Sequence, residues 1–93
     1  MAVIARHLII LGRVQGVFYR NWTVETASGL GLAGWVRNRM DGSVEALVEG
    51  AEQAVGQFIS LAHDGPPAAH VARIDVANVD VEGLASFQKR PTC

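Results

Sequence analysis

Apolar and polar positions along this chain switch between two periods. Val3 to Leu11 is a nearly unbroken run of valine, isoleucine, leucine and alanine, broken only by Arg6 and His7, and predicts a buried central strand. From Asn21 the spacing becomes helical, with Trp22, Thr26, Ala27 and Leu30 on one face, Asn21 as N-cap, and Gly29 and Gly31 at the end. Gly34 to Met40 alternates again as a strand. Asp41-Gly42 predicts a two-residue hairpin turn into a strand from Ser43 to Glu49, with Val44, Ala46 and Val48 as its apolar face. A second helix opens around Gly50 and Glu52, repeats Ala54, Val55, Phe58, Leu61 and Ala62 at helical intervals, and stops at Asp64-Gly65-Pro66-Pro67. Val71 to Val76 reads as a fourth strand with Ala72, Ile74 and Val76 on one side, and Ser86 to Arg90 as a short edge strand around Phe87. Strand, helix, strand, then strand, helix, strand is the split βαβ arrangement. It predicts an α+β fold, an antiparallel sheet with two helices on one face.

Size and composition narrow the function classes. The 93 residues, 49% of them hydrophobic, suffice for one core, so residues 1–93 are expected to form a single domain. The apolar run Leu8 to Leu11 is far too short for a membrane span, and the N-terminal stretch lacks a signal-peptide pattern, which leads to the expectation of a soluble cytoplasmic protein. The single cysteine, Cys93, excludes an internal disulfide and a thiolate metal cluster. Net charge is −1, against bulk attraction to nucleic acid, but residues 1 to 40 hold five arginines (Arg6, Arg13, Arg20, Arg37, Arg39) against one acid, Glu25. Any anion site belongs in that half.

The stretch Gly12-Arg13-Val14-Gln15-Gly16-Val17-Phe18-Tyr19-Arg20 is where such a site would form. Its glycines let the backbone turn amide hydrogens toward a ligand, the helix start adds positive potential, and Arg20 offers a planar fork for phosphate or carboxylate oxygens. It is not a Walker loop, since no Lys-Ser or Lys-Thr follows the second glycine, and no cysteine precedes the arginine as in cysteine phosphatases. No Ser, Thr, Asp or His occurs from Gly12 to Arg20, so covalent phosphoryl transfer has no candidate nucleophile there. Asn38, between Val36 and Met40 in strand parity, is either a structural hydrogen-bonder or a functional group. His7 reads as a packed or edge histidine, His63 and His70 as surface residues, and Asp41 as part of the hairpin. With acids and bases this scarce, the site suits a labile bond such as a mixed carboxylic–phosphoric anhydride, whose carboxylate leaves unprotonated. A pure anion-binding module fits the same loop.

The segments GRVQGVFYR, LGLAGWVRN, DGSVEALVEG and GPPAAHV closely resemble the acylphosphatase family, over nearly the whole chain. The resemblance implies the ferredoxin-like α/β sandwich and hydrolysis of acyl phosphates to carboxylate and inorganic phosphate without metal or cofactor. It makes Arg20 the catalytic arginine, Asn38 the residue that orients the attacking water, and the amides of Gln15, Gly16, Val17, Phe18, Tyr19 and Arg20 the phosphate ligands. Tyr19 stands where phenylalanine is common in the family and Arg39 where a small hydroxyl residue often follows the asparagine; Arg13 receives no chemical role. The expected partner is a small acyl phosphate, with no nucleic acid and no membrane, and the expected state is a monomer. The alternative is a non-catalytic anion-binding or regulatory domain of the same fold.

Overall fold

The computed structural model describes residues 2–93. Its elements run β1 (Val3–Arg13), α1 (Tyr19–Gly29), β2 (Ala33–Asn38), β3 (Val44–Ala51), α2 (Glu52–Ala62), β4 (His70–Val79) and β5 (Phe87–Lys89). The sheet order is β4-β1-β3-β2-β5. β3 lies between β1 and β2, antiparallel to both, and β4 is antiparallel to β1. The split βαβ prediction therefore holds for the first four strands. One feature departs from it: β5 pairs with β2 in parallel, so the sheet is mixed rather than wholly antiparallel.

The reason lies in the path after β4. That strand is at one edge and β5 at the other, so residues 80–86 travel between the edges and enter β5 running the same way as β2. A buried carboxylate holds this connection: Glu49, only 3% exposed, accepts hydrogen bonds from the backbone N–H groups of Glu82, Gly83 (3.1 Å) and Leu84 (3.0 Å). Three amide donors replace the water that the carboxyl group gives up on burial.

Both helices cover the same face. α1 packs over β2 and β5, α2 over β3 and β1. Between the layers lie Leu8 and Ile10 of β1, Val36 of β2, Val44, Ala46 and Val48 of β3, and Val55, Phe58 and Ala62 of α2. The face predicted for β3 is thus the observed one. β1 is interior to the sheet, but its opposite face is only half-buried, with His7 reaching Glu45 (2.6 Å) and Glu45 also accepting from Arg37 (2.7 Å). Burial alone would push the Glu45 carboxyl up; hydrogen bonds from His7 and Arg37 more than reverse this and hold it below its usual value.

Boundaries shifted where loops compete with periodicity. The β2–β3 turn has three residues rather than two: Arg39 donates to the Ser43 carbonyl, Gly42 to that of Arg39, and Asp41 accepts from Ser43 N (2.9 Å) and Oγ (2.6 Å). β4 begins earlier and runs to Val79, and a bulge opposite Leu11/Gly12 leaves Ala72 without a partner in β1, so Val71 and Ile74 pack on the core while Ala72 is exposed; Val76, opposite Leu8, keeps the face of Ile74, opposite Ile10, but is exposed on this edge strand. At the bulge Gly12 sits at φ 127° with the His70 carbonyl oxygen 2.2 Å from where a Cβ would be, a contact only glycine permits.

Candidate active site

Between β1 and α1 the chain makes a loop anchored from below. Val14 and Val17 are buried in the core, which holds the backbone between them against the sheet end. Gly16 (φ 72°) and Phe18 (φ 65°) are both left-handed, and the intervening Val17 is not. Left-handed residues alternating with right-handed ones can turn successive amides toward one point, the arrangement of an anion nest. Phe18 is the only non-glycine residue at positive φ among the described residues, and its ring is 77% exposed, so no side-chain packing compensates the strain. Strain of this size, of order 1–3 kcal/mol, is the sort that persists at ligand-binding loops.

α1 starts at Tyr19, two residues before the predicted N-cap, and Asn21 lies within its first turn. Phe18 takes the cap position, no side chain caps the helix, and no acid occupies the first turn. Among the described residues no protein acceptor engages the N–H groups of residues 15–20. The positive end of the helix is left open to a ligand. The earlier start also moves the buried stripe to Tyr19, Thr23 and Ala27, with Trp22 and Leu30 half-buried beside it and Thr26 half-exposed.

A cavity of about 300 Å³ opens above this loop, bordered by Val14, Gly16, Phe18, Tyr19, Arg20, Asn21, Asn38 and Lys89. It brings together Arg20 and Asn38, the two residues singled out from sequence. Asn38 is the last residue of β2, opposite Val44. Its Oδ1 is buried with no hydrogen-bond partner in the protein. Leaving a buried acceptor unpaired costs about 1–3 kcal/mol, so a structural role is a poor account of an amide that bonds to nothing. Arg20 is half-buried and takes part in none of the three ion pairs of the described residues, which join His7 and Arg37 to Glu45 and Arg73 to Asp75.

Gln15 and Val17 do not border the cavity. Gln15 has another task, not visible in the sequence: its Nε2 donates to the carbonyls of Arg39 and Ser43, each at 2.8 Å. This clamps the loop to the hairpin that follows Asn38 and sets the distance between the two halves of the site. Tyr19 borders the cavity but turns its hydroxyl into the core, where it donates to the Ala62 carbonyl at the end of α2 (2.6 Å); burial pushes its pKa up. Thr23 Oγ1 in turn donates to the Tyr19 carbonyl (2.8 Å). The chain's continuation past β5 runs beside Asn38, with Cys93 N–H donating to the Asn38 carbonyl (3.2 Å) and Met40 N–H to that of Cys93 (3.0 Å). Arg13 is exposed, and His7, His63 and His70 lie outside the cavity. Two polar neighbours of the site, Asn21 and Lys89, were missed; the only sequence signal was Lys89's place on a short strand whose partner could not be read.

A two-layer α/β sandwich that gathers free loop amides, an arginine outside any ion pair and an unpartnered carboxamide around one cavity has the chemistry that could hold a phosphoryl-type anion. The acylphosphatase family model matches residues 6–89. An acylphosphatase of Acidovorax sp. (strain JS42) is 53% identical over 91 residues, spanning 98% of this chain and 94% of that protein. The crystal structure of acylphosphatase from Bacillus subtilis matches with a TM-score of 0.91 at 38% identity, covering 96% of this chain and 99% of that one. The acylphosphatase from Coxiella burnetii matches with a TM-score of 0.92 at 32% identity over 95% and 93%. The chain belongs to the acylphosphatase family, hydrolases of acid anhydrides with the ferredoxin-like fold.

Proposed function

We propose that residues 1–93 act as one domain that hydrolyses small acyl phosphates, with the phosphoryl group held by Arg20 and the amides of residues 15–20 and the attacking water held by Asn38. The observation that carries this reading is the buried, unpartnered Oδ1 of Asn38 at the cavity that an unpaired Arg20 also borders. In this reading a water donating to that oxygen satisfies it and stands in the same cavity as the loop amides. Water attacks phosphorus, the phosphorus–oxygen bond to the acyl group breaks, and the electron pair departs with the carboxylate. The water's proton passes to a phosphate oxygen, so the substrate dianion and water yield a carboxylate and dihydrogen phosphate. Arg20 and the amides neutralise charge on the equatorial oxygens of the transition state. No acid is required, because a carboxylate leaves without protonation.

The reading assigns no metal or cofactor, a monomer and a cytoplasmic location. Among the described residues no helix is long and apolar enough to cross a membrane. The test is benzoyl phosphate hydrolysis with chelator present, on the native protein, Arg20→Ala and Arg20→Lys. Native turnover should be chelator-insensitive. Arg20→Ala should lose about a hundredfold or more, and Arg20→Lys should fare little better because a point charge cannot replace the fork. A native protein without turnover, or an Arg20→Ala variant as fast as native, would overturn it.

A further inference from the structure

We propose that Lys89 is a second cation of the phosphate site, so that Arg20 and the Lys89 ammonium together neutralise the bound phosphoryl group. This rests on reading the cavity as an acyl phosphate site. Lys89 is set by the parallel edge strand: it pairs with Val36, whose side chain is buried under the helices, so Lys89 emerges on the same face, on the strand next to Asn38. Its Nζ donates to Asn21 Oδ1 at 3.2 Å, and Asn21 follows Arg20 in the first turn of α1. Both border the cavity with Arg20 and Asn38.

The partner's chemistry is what gives this contact a function. Asn21 offers a neutral amide oxygen, which steers an ammonium without cancelling its charge. No Asp or Glu borders the cavity, and none of the ion pairs of the described residues includes Lys89. Two cations thus border one cavity with no acid between them, an arrangement that repels itself until an anion enters. A phosphate group carries about −1.5 to −2 charges near neutral pH, more than one guanidinium balances. The ligand class is therefore a phosphoryl dianion, free or as an acyl phosphate.

The experiment measures inorganic phosphate binding by titration calorimetry, and benzoyl phosphate turnover, for the native protein, Lys89→Met and Lys89→Arg. Lys89→Met should raise the phosphate Kd and the KM about three- to tenfold at low ionic strength, with kcat within about twofold. In 1 M KCl, where the Debye length is about 3 Å, that gap should nearly close. Lys89→Arg should bind within about twofold of native, since the charge is kept. Native affinity in Lys89→Met at low salt would overturn the proposal. So would a gap that persists in 1 M KCl, which would mark Lys89 as a structural tie between β5 and α1. A raised KM for benzoyl phosphate with phosphate affinity unchanged would move Lys89 to the leaving group and also refute it. A native protein that binds phosphate through Lys89 yet turns nothing over would sink the hydrolase reading alone.

Discussion

Replacing Asn38 by alanine should separate activity from stability, and the structure sets the sign of each effect. The side chain's Oδ1 is buried and accepts nothing from the protein, so the folded state carries its desolvation without a compensating bond. Such a group costs about 1–3 kcal/mol, part of which a cavity water recovers. Truncation removes that cost and opens onto a solvent-connected cavity of about 300 Å³, not a sealed void. Asn38→Ala should therefore be as stable as native or more stable by up to ~1 kcal/mol, which for a domain this small moves Tm by roughly 4–8 °C. Turnover should fall about a hundredfold or more, a barrier increase of ~2.7 kcal/mol. Thermal unfolding followed by circular dichroism, beside benzoyl phosphate kinetics and phosphate affinity, reads all three quantities. An Asn38→Ala protein that melts well below native would show that the amide holds the strand end together. A variant that keeps native kcat would show that it does not place the water.

Gln15→Ala removes both bonds that clamp the loop to the hairpin while leaving every backbone amide in place. It should lower kcat/KM about tenfold through misplacement of Asn38 relative to the nest, with the unfolding transition still cooperative; native kinetics would show the clamp to be irrelevant. Tyr19→Phe leaves the buried Ala62 carbonyl without its donor, and should cost about 1–3 kcal/mol, read as a lower Tm with activity at 25 °C preserved. An unchanged Tm would mean that the carbonyl finds another partner. Glu45 has its folded pKa below the usual 4.5, so its contribution to stability is present above that value and is lost as pH falls through the folded one. Tm against pH should drop less steeply below about pH 4.5 in Glu45→Gln than in native protein, and identical acid slopes would refute the assignment.

Particular residues show why some features were legible before the fold and others were not. The apolar face of β3, Val44, Ala46 and Val48, was read correctly because alternation over a strand buried against helices has one solution. The start of α1 was misread because Asn21 is a good cap by type, whereas the loop itself turns the chain at Phe18 and no side chain caps the helix. In β4 Ile74 and Val76 share a face as expected, but Ala72 was misplaced because the bulge opposite Gly12 is a property of the pair β1 and β4, not of either strand. Tyr19 looked interchangeable with phenylalanine, yet its hydroxyl reaches Ala62, forty-three positions along the chain.

What the sequence determined by itself was local: the strand and helix periods, the glycine-bearing loop ending in Arg20, the shortage of acids and bases around it, and the anomaly of Asn38. These follow from short-range sterics and hydrophobic spacing, which a chain carries with it unfolded. Tertiary structure alone decided that Asn38 loses its partners on burial, that Gln15 joins loop to hairpin, that Glu49 holds the return crossing, and that Lys89 arrives beside the cavity. Each depends on strands distant in the chain becoming neighbours, and burial and hydrogen-bond satisfaction exist only once they have.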